Sequence, residues 1–141
     1  MTYDYREKRI VAIVSDKLPP GLAFNALGHL AFSAGRYSDQ SLMGQEKIPD
    51  ADSNVHIGIS KYPFIVLKAT EEEIKNIIKT AKEKGIFVVD YPQEMFDTGP
   101  DEELVAALSK AKEPAIKYHA AVLVGSSEAL KPLTGQLKLY K

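Results

Sequence analysis

The sequence predicts an α/β layered sheet, and three observations carry that expectation. Short β-branched runs recur at residues 10–14, 64–69, 86–89 and 120–125. Between them, apolar residues return at helical spacing instead of alternating. Before one of those helical stretches, Thr70-Glu71-Glu72-Glu73 forms a capping box, an explicit start signal. Strands that alternate with helices bury a sheet between helical layers.

Each element follows in chain order. Ile10-Val11-Ala12-Ile13-Val14 reads as a strand buried on both faces. Asp16-Lys17-Leu18-Pro19-Pro20-Gly21 breaks it. From Leu22 to about Gly35, Ala23, Leu27, Leu30, Ala31 and Ala34 share one helical face. Residues 36–62 are polar and aperiodic, with Gly44, Pro49, Gly58 and aspartates at 39, 50 and 52, so they read as a long loop with room for a short helix or strand. Residues 64–69 form the second strand. After the capping box, Ile74, Ile77, Ile78 and Ala81 make a buried stripe, Lys79, Lys82 and Lys84 suit the negative helix end, and Gly85 stops the helix. Residues 86–89 are the third strand. Thr98-Gly99-Pro100-Asp101 opens another helix, with Leu104, Val105, Leu108 and Ala111 facing inward and Pro114 beyond its end. Residues 120–125 are the fourth strand. Ser126 or Ser127 caps a short helix that Pro132 and Gly135 interrupt. Leu137, Lys138, Leu139 and Tyr140 then alternate as a half-buried strand does.

Composition narrows the function classes. A chain of 141 residues, 45% hydrophobic and 26% charged, has the size and make-up of one globular domain spanning 1–141. Its formal net charge of -1 gives no electrostatic footprint for nucleic acid. It has no cysteine, which excludes disulfides, thiolate chemistry and cysteine-ligated zinc. No run approaches the roughly 20 apolar residues of a transmembrane helix. Residues 1–9 are polar and no apolar signal region follows, so a soluble cytoplasmic protein is expected.

The closing "TGQLKLYK", with Asp16, with His29 late in the first helix, and with "FIVLKATEEEIKNIIKTAKEKGIFVVD", resembles the type II peptidyl-tRNA hydrolases. "LPPGLAFNALGHLA" and "HIGIS" are more similar still to a sister family of the same fold whose function is unassigned. The resemblance implies a three-layer α/β/α domain with a mixed four-stranded sheet. It places the last segment against that sheet, with Leu137 and Leu139 buried. It does not extend to residues 36–61 or to the helix after Pro100.

The resemblance also carries Asp16 and His29 into a catalytic site, and a catalytic aspartate past the third strand onto Asp90 or Tyr91. It does not carry the hydrolase lysines, whose positions fall on Pro20 and Leu22; Lys17 is the one cation left in that turn. Polarising an ester carbonyl and holding a polyanion need such cations. Independently of family, Asn25 and His29 stand at i, i+4 on one helix face, where imidazole and carboxamide can orient a ligand or a water. A carboxylate such as Asp90, at a strand's C-terminal end, is well placed in an α/β sheet. The candidates are therefore His29, Asp90 and Asp16 for chemistry, and Asn25, Lys17 and Thr98 for ligand binding, although Thr98 also reads as a helix cap. His29, His56 and His119 lack metal-motif spacing, and no Gly-x-Gly-x-x-Gly, P-loop or Gly-x-Ser-x-Gly is present, so no metal or cofactor is expected. Two readings remain: a binding member of this fold with a small-molecule pocket beside Asn25 and His29, either alone or as a homodimer and with no part for tRNA or a membrane, and an ester or amide hydrolase with a rebuilt turn.

Overall fold

A computed structural model describes residues 3–141, so the first two residues of the polar opening segment lie outside it. The first strand, β1 (Lys8–Ser15), is the hub of a five-stranded mixed sheet. It pairs in parallel with β4 (Phe64–Ala69) and antiparallel with β6 (Tyr118–Ser126). β6 in turn pairs antiparallel with β5 (Phe87–Pro92), and β4 with the two-residue β7 (Lys138–Leu139), giving the order β5-β6-β1-β4-β7. The sheet thus has five strands, not four, because the C-terminal segment joins it as an edge.

Strand alternation sorts the core into two layers. Ile10, Ala12 and Val14 point to one face, where α1 (Pro20–Tyr37) buries Ala23, Ala26, Leu30 and Ala34. Val11 and Ile13 point to the other, where α2 (Glu71–Glu83) buries Ile74, Ile77, Ile78 and Ala81, and α5 (Ser127–Thr134) buries Leu130 and Leu133. The capping box of α2 is complete: Glu73 N donates to Thr70 Oγ1 at 3.1 Å, and Thr70 N to Glu73 Oε1 at 3.0 Å. Gly85, at φ 69°, ends that helix in the left-handed conformation that a Cβ resists. Ser126 caps α5 by accepting from Ala129 N at 3.0 Å, and α5 runs through Pro132 instead of breaking there.

The long loop is more structured than its composition suggests. It holds a 3₁₀ turn at Gln40–Leu42 and an antiparallel hairpin of β2 (Lys47–Pro49) and β3 (Val55–Ile57), every residue of which is exposed. A hairpin with no buried face leaves no apolar pattern to read. Between β5 and α4 (Asp101–Lys110) lies a further short helix, α3 (Gln93–Asp97). Thr98 ends this helix, its hydroxyl donating to Glu94 O at 2.8 Å, and Pro100 occupies the cap of α4. Thr98 is therefore a C-terminal cap, not the opening residue of the next helix.

The C-terminal segment differs from expectation at Leu139. Leu137 packs on the α2–α5 layer and Tyr140 on the α1 layer, but Leu139 pairs with Leu67 at the sheet's open edge and stays 57% exposed. Gly135 has an ordinary helical backbone at φ -63°. What constrains it is space, since a Cβ there would sit 2.7 Å from Lys131 O.

Candidate functional site

An open cleft of about 580 Å³ lies between α1 and the stretch from β5 to the start of α4. The α1 wall is a polar ridge. Asn25, His29 and Ser33 follow one another at four-residue intervals, which stacks them along one side of the helix. Ala23, Ala26 and Leu30 hold that helix down on the sheet, so the ridge is fixed by the packing behind it. Among the described residues, neither Asn25 nor His29 spends its side chain on a protein hydrogen bond, which leaves both free toward the cleft. The facing wall is mixed: Tyr91 from β5, Met95 and Phe96 from α3 and Leu104 from α4 supply apolar surface, with Asp90, Thr98 and Asp101 among them.

A chain of rings runs along this wall. The His29 and Tyr91 ring centroids are 6.3 Å apart, Tyr91 and Phe96 4.9 Å, and Phe96 and His119 5.2 Å in an edge-on arrangement. His119 is buried on β6, and its Nε2 lies 2.6 Å from Gln93 Oε1. An amide oxygen only accepts, so Nε2 carries the hydrogen. Burial, aided by the Lys117 charge, holds the His119 pKa below the usual imidazole value and keeps the ring neutral. Burial likewise raises the Tyr91 phenol above its ordinary value. It pushes Tyr118 up to about 12, with negative Asp90, Glu113 and Glu94 adding to the effect.

The sequence candidates divide between two clefts and two faces. Asn25, His29 and Thr98 line the large cleft together. Asp90 borders it, but its carboxylate accepts from Lys82 Nζ at 3.2 Å, and Lys82 belongs to α2 on the opposite side of the sheet. The reason is strand parity: Phe87, Val89 and Tyr91 pack toward α1, so Val88 and Asp90 turn the other way. Asp16 lies in a separate, smaller cleft of about 240 Å³ with Lys68, Thr70, Glu73 and Lys138. Lys17, exposed in the turn after β1, lines neither; its backbone N donates to Ser15 Oγ at 3.2 Å. Of Asp16, Asn25, His29 and Asp90, the last three border one cleft, Asp90 with its carboxylate turned to Lys82, and Asp16 lies apart. Among the described residues, no three His, Asp or Glu side chains gather as a metal ion needs.

The sequence reading missed Ser33, the next step of the Asn25–His29 ridge, although its i+8 spacing was there to see. It also missed the apolar wall, because α3 has no periodic stripe, and Asp101, which sits at the cleft's mouth.

The comparisons with known proteins agree with this architecture. A family model described as a protein of unknown function (DUF2000) matches residues 8–141. No curated protein matches the chain. A solved structure of a protein of unknown function from Agrobacterium tumefaciens strain C58 is similar, with a TM-score of 0.85 and 22% identity, over 96% of this chain and 98% of that one. A likeness at that identity speaks for the fold alone.

Proposed function

We propose that this chain, which belongs to the DUF2000 family, binds a small, flat, partly apolar molecule in the cleft beside α1. The observation that carries the reading is the pairing of two unlike walls. Asn25, His29 and Ser33 offer donors and acceptors along one side, and Tyr91, Met95, Phe96 and Leu104 offer an apolar surface on the other. Small-molecule sites pair apolar surface with convergent polar groups in a concavity of roughly 300–1,000 Å³, and this cleft has both. A planar ligand would lie against Met95 and Phe96 while Asn25 and His29 read its edge. The far wall suits such a role, because α4 buries none of its residues and meets the cleft through Asp101 and Leu104.

Kinship with the type II peptidyl-tRNA hydrolases, and the ester or amide hydrolase reading that comes with it, rests on "TGQLKLYK" and on His29. Three features weigh against it. Asp16 and His29 line different clefts, and the Asp90 carboxylate is engaged by Lys82. Pro20 and Leu22 also stand where the hydrolase cations would be, and losing one preorganised charge-stabilising donor costs about 10²–10³ in rate.

Ligand-observed NMR with aromatic heterocyclic amides, nicotinamide first, tests the binding reading. Saturation transfer to the probe should be present with the wild-type chain and lost in Asn25→Ala and His29→Ala, both of which are exposed positions. Absence of transfer to any such probe, or transfer indifferent to both substitutions, would sink it. Peptidyl-tRNA turnover that His29→Ala abolishes would promote the hydrolase instead.

A further inference from the structure

α1 carries a second surface that neither the core nor the cleft uses. From Pro20 to Gly35 the helix has no Asp, Glu, Lys or Arg; Arg36 is its one such residue. A helix on a globular surface ordinarily turns a charged face to water. Here Phe32 is 85% exposed and Phe24 64%. Gly28 and Gly35 stand on the same face, with nothing within 4 Å of where a Cβ would be. Proline aside, glycine is the residue least favourable to a helix interior. The packing of this chain gives no reason for either of them.

We propose that this face of α1 docks on the same face of a second copy, with the two helices antiparallel across a two-fold axis at the level of residues 29–30. The spacing is self-complementary under that operation. Phe32 comes opposite the partner copy's position 28, a glycine, and Phe24 opposite its position 35 or 36, at the second glycine. Large meets small at both ends, and each pairing occurs twice, as an isologous contact requires. Beside Gly35, a groove of about 280 Å³ between Ala31 and Ile59, floored by Leu42 and Val124, opens where the second copy's Phe24 ring would arrive.

The area is of the right order. A buried aromatic side chain removes roughly 150–250 Å² from water, so Phe24 and Phe32 together offer roughly 300 Å² per protomer. Ile59, Met43 and the bare glycine backbone beside the groove extend the patch toward the roughly 800 Å² per partner of a standard interface. A membrane fits the face less well, because interfacial helices pair an apolar side with several lysines or arginines. At 100° per residue the face lies about a quarter-turn from the Asn25–His29 ridge, so docking leaves the cleft open.

Sedimentation equilibrium of the full chain tests the proposal. The wild type should be a dimer at micromolar concentration. Phe32→Glu should raise the dimer dissociation constant by at least about 100-fold, as loss of a central aromatic contact does. Gly28→Leu should do the same by bulk. Both variants should keep the wild-type circular dichroism spectrum, since neither position touches the core. Val105→Glu, an exposed apolar residue on α4, should leave the dimer intact. A wild type that is monomeric at 200 µM, a dimer indifferent to Phe32→Glu and Gly28→Leu, or a monomer that floats with anionic vesicles would each overturn the proposal.

Discussion

Ending the chain after Gly135 removes Gln136–Lys141 and opens the β4 edge. The structure sets the size of the effect. Leu137 packs partly against the α2–α5 layer and Tyr140 partly against the α1 layer. Tyr140 N donates to Val66 O at 2.9 Å, and Leu137 N to Thr134 O at 3.1 Å. A fully buried Leu is worth about 1.5–3 kcal/mol, so two half-buried side chains contribute about 1.5–3 kcal/mol together. At about 3–4 °C per kcal/mol for a chain of this size, loss of that packing should lower the melting temperature by about 5–12 °C. Keeping Thr134 matters to the design, because its hydroxyl donates to Leu130 O and its side chain is buried. Two point variants read the alternation. Leu137→Ala should cost about 1–2 kcal/mol, whereas Leu139→Ala, at a mostly exposed position, should cost less than about 0.5 kcal/mol. Thermal melts by circular dichroism give all three. An unchanged melting temperature on truncation, or equal losses at 137 and 139, would refute the packing argument.

Two further outcomes concern other parts of the fold. Gly85→Ala should destabilise by about 1 kcal/mol in urea titrations, because its φ of 69° is held by the end of α2. His119 gives a pH dependence whose sign is fixed. Burial holds its folded pKa below the ordinary imidazole value, so the unfolded chain binds the proton first as pH falls. Its contribution is complete above about pH 6.5 and is lost progressively below it. Comparing urea midpoints at pH 7.5 and 5 should show a smaller drop in His119→Gln than in the wild type.

Local signals were the legible ones. The capping box at Thr70–Glu73, the Ile74–Ala81 stripe and Gly85 each act over one or two turns, and α2 begins and ends where they indicate. The strand interiors were equally plain, but β5 and β6 extend past their β-branched runs to Pro92 and back to Tyr118, where pairing rather than composition sustains them. α3 was invisible because five residues with none buried leave no period. At the site, Asn25 and His29 were readable because one helix carries both. Where Asp16 and Asp90 lie was not legible, because their positions depend on which side of the sheet a residue takes and on which strand lies beside it. Asp90 shares its parity with Val88, yet nothing in the sequence near it says which face α1 covers.

The central position of β1 bears on how the chain is made. Its two neighbours are β4, about fifty residues downstream, and β6, where Lys8 meets Ser126. Contacts this remote slow folding, because loop closure precedes any return from the pairing. At a synthesis rate of about 5–20 residues per second, roughly 6–24 s separate translation of Lys8 from that of its last partner. For that interval the apolar strand and the helix after it, with Arg36 as its one charged residue, are both without their sheet. Slowing elongation before residue 118 should therefore raise the aggregated fraction without changing the stability of the finished protein.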